Sequence, residues 1–249
     1  MKSIVCIKRV PDTEARIRIK DDKSGIETAG IKFVISPYDE FAIEAAIKFK
    51  EVKGAGEVTV MSLGDAAAGE QLRSALAMGA DRAILLKGDV TMDGMATARA
   101  LAAEIKALEP ELVLFGMKAV DDDQQQVGPM VAELLGLPCV TVVAEMEMEN
   151  DKLVCHREVE GGIEIVETPV PAVITITKGK YEPRYPSLKG IMAAKKKPLE
   201  ERAAQQPEAR IQLQDLSYPP DRPPGRIVGT GVDAVPELVR VLREEARVL

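Results

Sequence analysis

Short apolar runs alternate with amphipathic helical patterns through residues 1–145, and this alternation constrains the fold more than any other feature of the chain. A run of about four to eight apolar residues is typical of a buried strand, whereas apolar positions that recur every three to four residues are typical of a helix with one buried face. Strands joined by helices pair in parallel within a sheet whose two faces are both covered. The sequence therefore predicts an α/β fold with a mostly parallel twisted sheet and helices on both faces.

The individual elements follow from these two patterns. The runs that predict strands are SIVCIK (3–8), ARIRIK (15–20), IKFVIS (31–36), EVTVMSL (57–63), RAILLK (82–87), ELVLFG (111–116) and CVTVVAEM (139–146). Helices are predicted over residues 37–52, 69–79, 96–108 and 126–136. Pro37 suits the first turn of the first helix, and Asp39 and Glu40 suit the positive end of its dipole.

The pattern changes after residue 145. KLVCHREV (152–159), GIEIVE (162–167) and AVITIT (172–177) are strand-like, which predicts antiparallel additions to the sheet. From Lys178 onward the chain is irregular, with a Pro-rich connector and a final amphipathic helical pattern over residues 232–248. Such a tail cannot bury much apolar area by itself. We therefore predict an α/β domain over residues 1–190 and an extended C-terminal arm over residues 191–249 that packs on a partner subunit.

Net charge and cysteine usage narrow the class of protein. The 249-residue chain has a net charge of −7, which argues against non-specific nucleic-acid binding because phosphate neutralisation needs a basic surface. Its three cysteines show no metal-like spacing, its N-terminus is charged too early for a secretory signal, and no apolar run approaches the roughly 20 residues that span a bilayer. These features predict a soluble cytoplasmic protein with reduced thiols.

A dense polar turn, VDDDQQQVGP (120–129), directly follows one predicted strand. In open parallel α/β sheets, ligands bind beyond the carboxyl ends of the strands, where the loops after Cys6, Ser36, Leu63 and Gly116 should lie. Three interpretations of the turn are open: an Asp side chain that caps the next helix, a Mg²⁺ site, or a nucleotide site with phosphate on the amides that begin the helix.

Familiar catalytic motifs are missing from the sequence. Neither G-x-x-x-x-G-K-[ST] nor G-x-G-x-x-G occurs, so a P-loop and a dinucleotide fingerprint are both unsupported. The only histidine, His156, lies in a strand-like run and is interpreted as a half-buried structural residue. Cys6 and Cys139 lie on apolar strands and are interpreted as small core residues. The residues predict a binding protein without catalytic residues of its own and without a metal site.

Several segments together resemble the β subunit of electron transfer flavoprotein. They are IVCIKRVPDT, SPYDEFAIEAAIKFKE, ALAMGADRAILL, FGMKAVDDDQQQVGP, REVEGGIEIVETPVPAVIT and YEPRYPSLKGIMAAKKKP. The segments occur in the family's order and cover most of residues 1–200, whereas the remaining C-terminal residues resemble the family less.

The resemblance implies an adenine-nucleotide-binding, Rossmann-like fold and a heterodimer with a larger α subunit, which carries most contacts to a redox-active FAD. In this family the β subunit holds an adenine nucleotide, usually AMP, and shields the flavin. Transferred residue by residue, the nucleotide site falls on Cys6, Ser36, Pro37, Tyr38, Asp39, Leu63, Gly116, Met117, Lys118, Ala119, Val120, Asp121, Asp122, Asp123, Gln124, Gln125, Gln126 and Val127. These residues lie on the four loops that the fold prediction assigns to the ligand edge.

The segment YEPRYPSLKGIM resembles the family's recognition loop, which then lies near residues 181–197. The resemblance implies that Leu188 inserts into an apolar pocket of a partner flavin dehydrogenase, and that Tyr185, Ile191 and Met192 belong to the same surface. An exposed Leu contributes about 1.5–3 kcal/mol when it becomes buried, enough to anchor a transient contact. The alternative is that Leu188 packs on its own domain. The basic run AAKKK (193–197) is implied to steer an acidic partner.

Other functions stay open at this point. Members that hold AMP often have Asn in the turn where this chain has Gln124 and Gln125, and members that bifurcate electrons bind a second FAD there. A second FAD is therefore an alternative to AMP. A stand-alone nucleotide-binding regulatory protein of related fold and an adenylating enzyme are further alternatives, although the latter needs a glycine-rich pyrophosphate loop. A quinone-side oxidoreductase is implied as a second partner of the heterodimer.

Overall fold

The computed structural model describes residues 1–89, 93–222 and 224–249. The chain forms two compact units: the first contains Met1–Arg18 and Glu27–Gln214, and the second contains Ile19–Ile26 and Asp215–Leu249. The division between residues 1–190 and 191–249 concerns packing on a partner, so it stays a prediction.

The described residues form eleven β-strands and six α-helices. The strands are β1 (Lys2–Cys6), β2 (Arg9–Pro11), β3 (Phe33–Ile35), β4 (Glu57–Gly64), β5 (Arg82–Lys87), β6 (Leu112–Gly116), β7 (Cys139–Glu149), β8 (Lys152–Val159), β9 (Gly162–Pro169), β10 (Ala172–Ile176) and β11 (Leu199–Ala203). The helices are α1 (Pro37–Lys53), α2 (Ala68–Met78), α3 (Gly94–Leu108), α4 (Val127–Leu135), α5 (Leu188–Ala194) and α6 (Val235–Arg240).

Nine of these strands form one sheet in the order β11-β5-β4-β1-β6-β10-β7-β8-β9. Pairing is parallel from β11 to β7. It is antiparallel from β7 through β8 to β9. This arrangement confirms the predicted class, an α/β fold with a mostly parallel sheet and antiparallel additions.

One of the expected antiparallel strands is in fact central and parallel. AVITIT forms β10, which pairs in parallel with both β6 and β7. All five residues of β10 are buried, as expected for a strand covered on both faces. The antiparallel hairpin of β8 and β9 is therefore an excursion between two parallel strands, and the prediction for AVITIT was wrong because a short apolar run does not specify its direction of pairing.

The region between β1 and α1 forms a separate two-stranded sheet, in which β2 and β3 pair antiparallel. The strand predicted for ARIRIK is absent from the described structure; Ile19 forms only an isolated bridge with Ile26. Ile17 is 39% exposed, so the alternation of apolar and basic residues does not mark a buried face here. A strand needs a neighbouring backbone as well as an alternating pattern, and ARIRIK has only a single bridge.

Helices cover the two faces of the large sheet in pairs. Buried side chains of α1 and α2 pack with one apolar cluster, and those of α3 and α4 pack with the other. The chain runs outward from β1 to β4 and β5, and then crosses back through α3 to β6 on the other side of β1. The strand order thus reverses between β1 and β6, which is where ligands bind in open α/β sheets.

The second unit ends in a helical segment that runs from Val232 to Glu245, with a 3₁₀ turn before α6 and a π-helical turn after it. The sequence predicted one amphipathic helix over 232–248, and the observed segment lies within that range. Its apolar side chains remain exposed: Val232 is 83%, Val235 51% and Leu238 43% exposed.

Among the described residues, no helix combines the length and apolar character that are needed to cross a bilayer.

Candidate functional site

The four loops at the predicted ligand edge are joined at the carboxyl ends of β4, β1 and β6. These strands are neighbours, and Cys6 at the end of β1 pairs with Met61 of β4 and Phe115 of β6. The loop after Ser36 comes from the small sheet, but the Ser36 amide donates to the carbonyl oxygen of Lys8 at 2.9 Å. The small sheet is thereby attached to the end of β1.

Asp39 joins three of these loops. Its Oδ2 accepts from the amide of Lys8 at 2.7 Å, and its Oδ1 accepts from the amide of Gly116 at 3.0 Å. A Cβ atom at Gly116 would lie 2.4 Å from Asp39 Oδ1, so this close approach requires glycine. One side chain in the first turn of α1 therefore ties the end of β1 to the end of β6.

The surroundings of Asp39 change its acidity. The residue is 6% exposed, and burial raises the pKa of its carboxyl to about 7, although the two amides and Lys8 oppose the shift. Burial, followed by the charge of Asp39, also raises the pKa of the Cys6 thiol far above its usual range. Cys6 is therefore a neutral core residue, since a thiol must ionise to act as a nucleophile. The core interpretation of Cys139 is wrong, because this residue is exposed at the start of β7.

The three aspartates of the polar turn face lysines. Lys8 Nζ lies 2.9 Å from Asp121 Oδ1 and 2.8 Å from Asp122 Oδ2. Lys118 Nζ lies 3.0 Å from Asp123 Oδ1. No group of three or more His, Cys, Asp or Glu side chains within residues 1–89, 93–222 and 224–249 is arranged to hold a metal ion. The carboxylates of this turn are thus arranged as ion pairs that fix the loop.

The aspartates do not cap α4. The residue that precedes this helix is Gln126, whose side chain makes no capping hydrogen bond. Asp123 and Gln125 have φ angles of 52° and 55°, a left-handed conformation that non-glycine residues rarely adopt. The Asp-cap interpretation is therefore wrong, because Gln126 occupies the capping position and the left-handed residues Asp123 and Gln125 turn the chain before it.

Backbone amides at the start of α4 are free. Among the described residues, the amides of Gln125, Gln126, Val127 and Gly128 have no acceptor, whereas the Met130 amide bonds to Gln126 O at 3.0 Å. Free amides and the dipole at a helix start make a site for an anion such as phosphate. The donors present at this position therefore fit the phosphate of a nucleotide.

Gly128 brings this helix start close to the sheet. The residue is buried, and a Cβ atom there would lie 2.8 Å from Thr175 Cγ2 and 3.4 Å from the ring of Phe115. The free amides consequently lie directly beside the ends of β6 and β10.

The start of α3 borders the same turn. The side chains of Gln124 and Gln126 are hydrogen-bonded to each other, and a Cβ atom at Gly94 would lie 2.4 Å from Gln126 Nε2. Asp93 caps this helix by accepting from the amide of Ala96 at 2.7 Å. Sequence reasoning missed Gly94 and Lys8, although Asp followed by Gly before an Ala-rich helix, and a Lys at the end of the first predicted strand, were visible signals.

The remaining predicted residues are less closely connected. The Ser36 hydroxyl lies 3.5 Å from the carbonyl oxygen of Lys118, and Lys118 Nζ lies 5.9 Å from the centre of the Tyr38 ring. Leu63 is half-buried and pairs in register with Leu86 of β5, farther along the edge. Half-buried residues of the loop after β6 are Met117, Lys118, Ala119 and Val120.

Two cavities lie outside these four loops. One of about 460 Å³ lies between α3, α4 and residues 205–207, and another of about 730 Å³ is lined by residues between Asp12 and Lys32. Neither is lined by the free amides or by Asp39. The candidate site is therefore assigned by hydrogen-bonding chemistry and strand topology.

A second cluster of predicted residues lies on residues 181–197, for which the resemblance implies docking and which are called the docking segment below. Its apolar side chains are exposed: Tyr185 by 96%, Leu188 by 84%, Ile191 by 43% and Met192 by 62%. The alternative that Leu188 packs on its own domain is wrong, because little of the side chain is covered.

The pKa of Asp39 gives a pH-dependent test. A raised pKa favours the neutral acid in the folded chain, so the stability contributed by this shift is fully present below about pH 4 and is lost as the pH rises through about 7. We expect the stability of the native chain to fall relative to Asp39→Asn over this range. The change is at most a few kcal/mol, since one pKa unit corresponds to about 1.4 kcal/mol.

Urea unfolding of the native chain and of Asp39→Asn between about pH 4 and pH 7 measures the difference in their free energies of unfolding. The control variant is Asp65→Asn, which makes the same change from carboxyl to amide at an exposed position before α2. A difference that stays constant, or that changes in the opposite direction, contradicts the assignment.

Comparison with known proteins identifies the family. Residues 24–207 match the model of the electron transfer flavoprotein domain. The chain is 46% identical over 225 residues to electron transfer flavoprotein subunit beta of Syntrophomonas wolfei, which covers 90% of this chain and 88% of that protein. It is 41% identical to the subunit beta of Bradyrhizobium diazoefficiens and 38% identical to the mitochondrial subunit beta of Arabidopsis thaliana, over the full length of both chains in each case. The chain therefore belongs to the electron transfer flavoprotein β-subunit family.

Proposed function

We propose that this chain pairs with a larger FAD-carrying α subunit, holds AMP at the carboxyl edge of its sheet, shields the flavin and docks flavin dehydrogenases. Family membership supports the electron-transfer role within a heterodimer. Relatives that are named as subunits favour this function over a stand-alone regulatory protein.

The row of free amides at the start of α4 carries the nucleotide proposal. In this proposal the amides of Gln125 to Val127, together with that of Gly128, donate to the phosphate. Lys8 and Lys118 offset most of the negative charge of the three aspartates, so the phosphate does not face an uncompensated acidic loop. The loops after Cys6, Ser36 and Leu63 accommodate the adenosine.

A second FAD in place of AMP stays an alternative, because free amides bind a phosphate of either molecule. The α-subunit FAD supplies the redox chemistry when it is bound. We propose that this chain contributes no catalytic residue: Cys6 is a neutral core thiol, and His156 pairs with Glu145 and Ile165 inside the antiparallel part of the sheet.

The docking proposal rests on the exposed apolar side chains of the docking segment. Leu188 begins α5, and its side chain projects from a short helix that is capped by Ser187, whose Oγ accepts from the amide of Gly190 at 3.0 Å. A large exposed apolar side chain on a fixed helix suits insertion into a partner's pocket. Only two of the three lysines of AAKKK are available to steer a partner. Lys197 is not, since its Nζ donates to Ala80 O at 2.6 Å and to Leu76 O at 3.0 Å. Lys195 and Lys196 are exposed and remain to attract an acidic partner.

The exposed apolar residues of the second unit support packing on the α subunit. A lone helical segment with exposed Val232, Val235 and Leu238 gains stability when a partner covers it.

A cytoplasmic location stays a prediction, and the relatives include bacterial proteins as well as proteins named mitochondrial. A quinone-side oxidoreductase as a second partner also stays a prediction.

Removing one amide tests the nucleotide site. Val127→Pro deletes one of the four free donors at the first residue of α4, where the lost N–H takes part in no intrahelical hydrogen bond, and Val127→Ala keeps the donor. Besides the α-subunit FAD, we expect the heat-denatured native heterodimer and Val127→Ala each to release about one AMP, or a second FAD. We expect Val127→Pro to release less of this ligand, because one phosphate contact is lost. Chromatography of the supernatant against AMP and FAD standards measures the amount and distinguishes the two ligands.

Thermal unfolding of all three proteins shows whether the fold is retained. A supernatant of the native heterodimer that contains only the α-subunit FAD, in an amount of one per heterodimer, contradicts a nucleotide in this site.

Truncating Leu188 tests docking. Leu188→Ala removes most of an exposed apolar side chain, so we expect the KM for the reduced dehydrogenase to rise about 10-fold, equivalent to ~1.4 kcal/mol, while flavin content stays unchanged. Steady-state electron transfer measures the effect. Val52→Ala is the control, because Val52 is 86% exposed and lies outside the docking segment. Equal KM values for the native chain and Leu188→Ala rule out the anchor.

Deleting Asp215–Leu249 tests the arm. The first compact unit extends to Gln214, and β11 at Leu199–Ala203 pairs with β5, so the cut leaves the large sheet complete. We expect the shortened chain to fold and to associate more weakly with the α subunit. Circular dichroism checks folding and titration calorimetry measures association; unchanged affinity opposes the proposed packing.

A further inference from the structure

We propose that Arg184 is a positioning residue that sets where Leu188 and α5 stand on the surface. The inference rests on the proposed docking function of this segment. It concerns a residue whose guanidinium is bound to carboxylates of α1.

The guanidinium of Arg184 is held by two carboxylates of α1. Its Nε lies 2.8 Å from Glu44 Oε2 and its Nη2 lies 2.8 Å from Glu44 Oε1, which is a bidentate pair. Its Nη1 lies 2.8 Å from Glu51 Oε1. Three short charge-assisted hydrogen bonds from one planar group fix both its position and its orientation.

The two carboxylates that hold Arg184 differ in burial. The Glu44 side chain is 2% exposed, whereas that of Glu51 is 46% exposed. A buried carboxylate that loses its partner is strongly unfavourable, so Glu44 requires Arg184 nearby. The Arg184 amide also lies 3.3 Å from Glu44 Oε2, so the backbone of the docking segment is held together with the side chain.

The helix that carries these carboxylates is itself fixed. Asp39 in the first turn of α1 binds the amides of Lys8 and Gly116, and the buried side chains of α1 pack in the apolar cluster of the sheet. Arg184 therefore connects the docking segment to an element that is fastened to the centre of the sheet.

Other contacts hold the two ends of the docking segment. The Tyr181 hydroxyl donates to Met146 O at 2.9 Å and accepts from the Met146 amide at 3.0 Å. At the other end, Arg73 Nη1 donates to the carbonyl oxygens of Ala194 at 2.7 Å and Lys197 at 2.8 Å. Arg184 is the last side chain anchored in this way before the exposed residues Tyr185 and Leu188, so it controls the direction in which the chain enters α5.

Lysine is not equivalent to arginine in this position. A lysine ammonium keeps the positive charge, but it cannot form the planar two-pronged pair with Glu44 that orients the segment. Geometry and charge therefore give different expectations for Arg184→Lys. If geometry matters, this variant impairs docking although the charge is retained.

The test is a double-mutant cycle on the flavin-loaded heterodimer, with a purified flavin dehydrogenase reduced by its own substrate as the partner. We expect Arg184→Gln and Arg184→Lys each to raise the KM for the dehydrogenase roughly 5- to 10-fold with little change in kcat. We expect Glu51→Gln, which removes only the exposed contact of Arg184, to raise the KM for the dehydrogenase less. In the Leu188→Ala background, Arg184→Lys should raise the KM for the dehydrogenase by a much smaller factor than it does alone, because the side chain that Arg184 positions is already missing.

The outcomes separate this inference from the proposed function. If Leu188→Ala raises the KM for the dehydrogenase and Arg184→Lys does not, the positioning role of Arg184 is overturned and docking by Leu188 is left intact. Purely additive effects on the KM in the double mutant have the same meaning. If Leu188→Ala does not raise the KM, docking and the inference are overturned together. Flavin content and the melting temperature of each heterodimer are measured in parallel, and a KM change that accompanies loss of flavin or of folded protein counts against positioning.

Discussion

The buried carboxylate of Asp39 is the interaction on which the arrangement of both candidate sites depends. It accepts hydrogen bonds from the ends of β1 and β6, the two strands between which the sheet order reverses. Gly116 permits the contact, since any side chain there would collide with Asp39. Because the helix that contains Asp39 begins at this point, the loops after both strands and the start of α1 are fixed relative to one another.

The polar turn extends this arrangement outward. Lys8, two residues after β1, pairs with two of the aspartates, and Lys118, two residues after β6, pairs with the third. These ion pairs are partly exposed, so each contributes little to stability by itself. Their effect is to hold a turn that presents free amides at the start of α4 beside the point where the sheet order reverses. Site geometry thus follows from a buried hydrogen-bonded carboxylate supported by surface ion pairs.

The same helix serves the docking segment. Its first turn lies at the proposed nucleotide-binding edge, and Glu44 and Glu51 hold Arg184 farther along. A rigid element shared by two sites keeps their relative placement constant. This suits the proposed function, in which a partner docks in a fixed position relative to the flavin that receives or donates electrons.

Sequence patterns predicted the elements that are buried on a regular period. The runs at β1, β4, β5 and β6 and the helices between them were located because burial on both faces, or on one face, leaves a periodic signature. AVITIT and ARIRIK were misassigned because pairing direction and the presence of a neighbouring strand are properties of distant parts of the chain.

The candidate site also depends on contacts between distant parts of the chain. Asp39 was included among the nucleotide residues through the family resemblance, but its contacts with Lys8 and Gly116 span 31 and 77 positions of sequence. No local pattern reports such contacts. The Asp-cap interpretation failed for a related reason, since the partners of the three aspartates are lysines of the loops after β1 and β6.

A crystal structure of this chain bound to its α subunit tests the central claim most directly. The account predicts an adenine nucleotide in the crevice beyond β1 and β6, with its phosphate accepting from the amides of Gln125 to Gly128. A crevice that is closed by the side chains of Gln124 and Gln126, with no space for a purine, would contradict it.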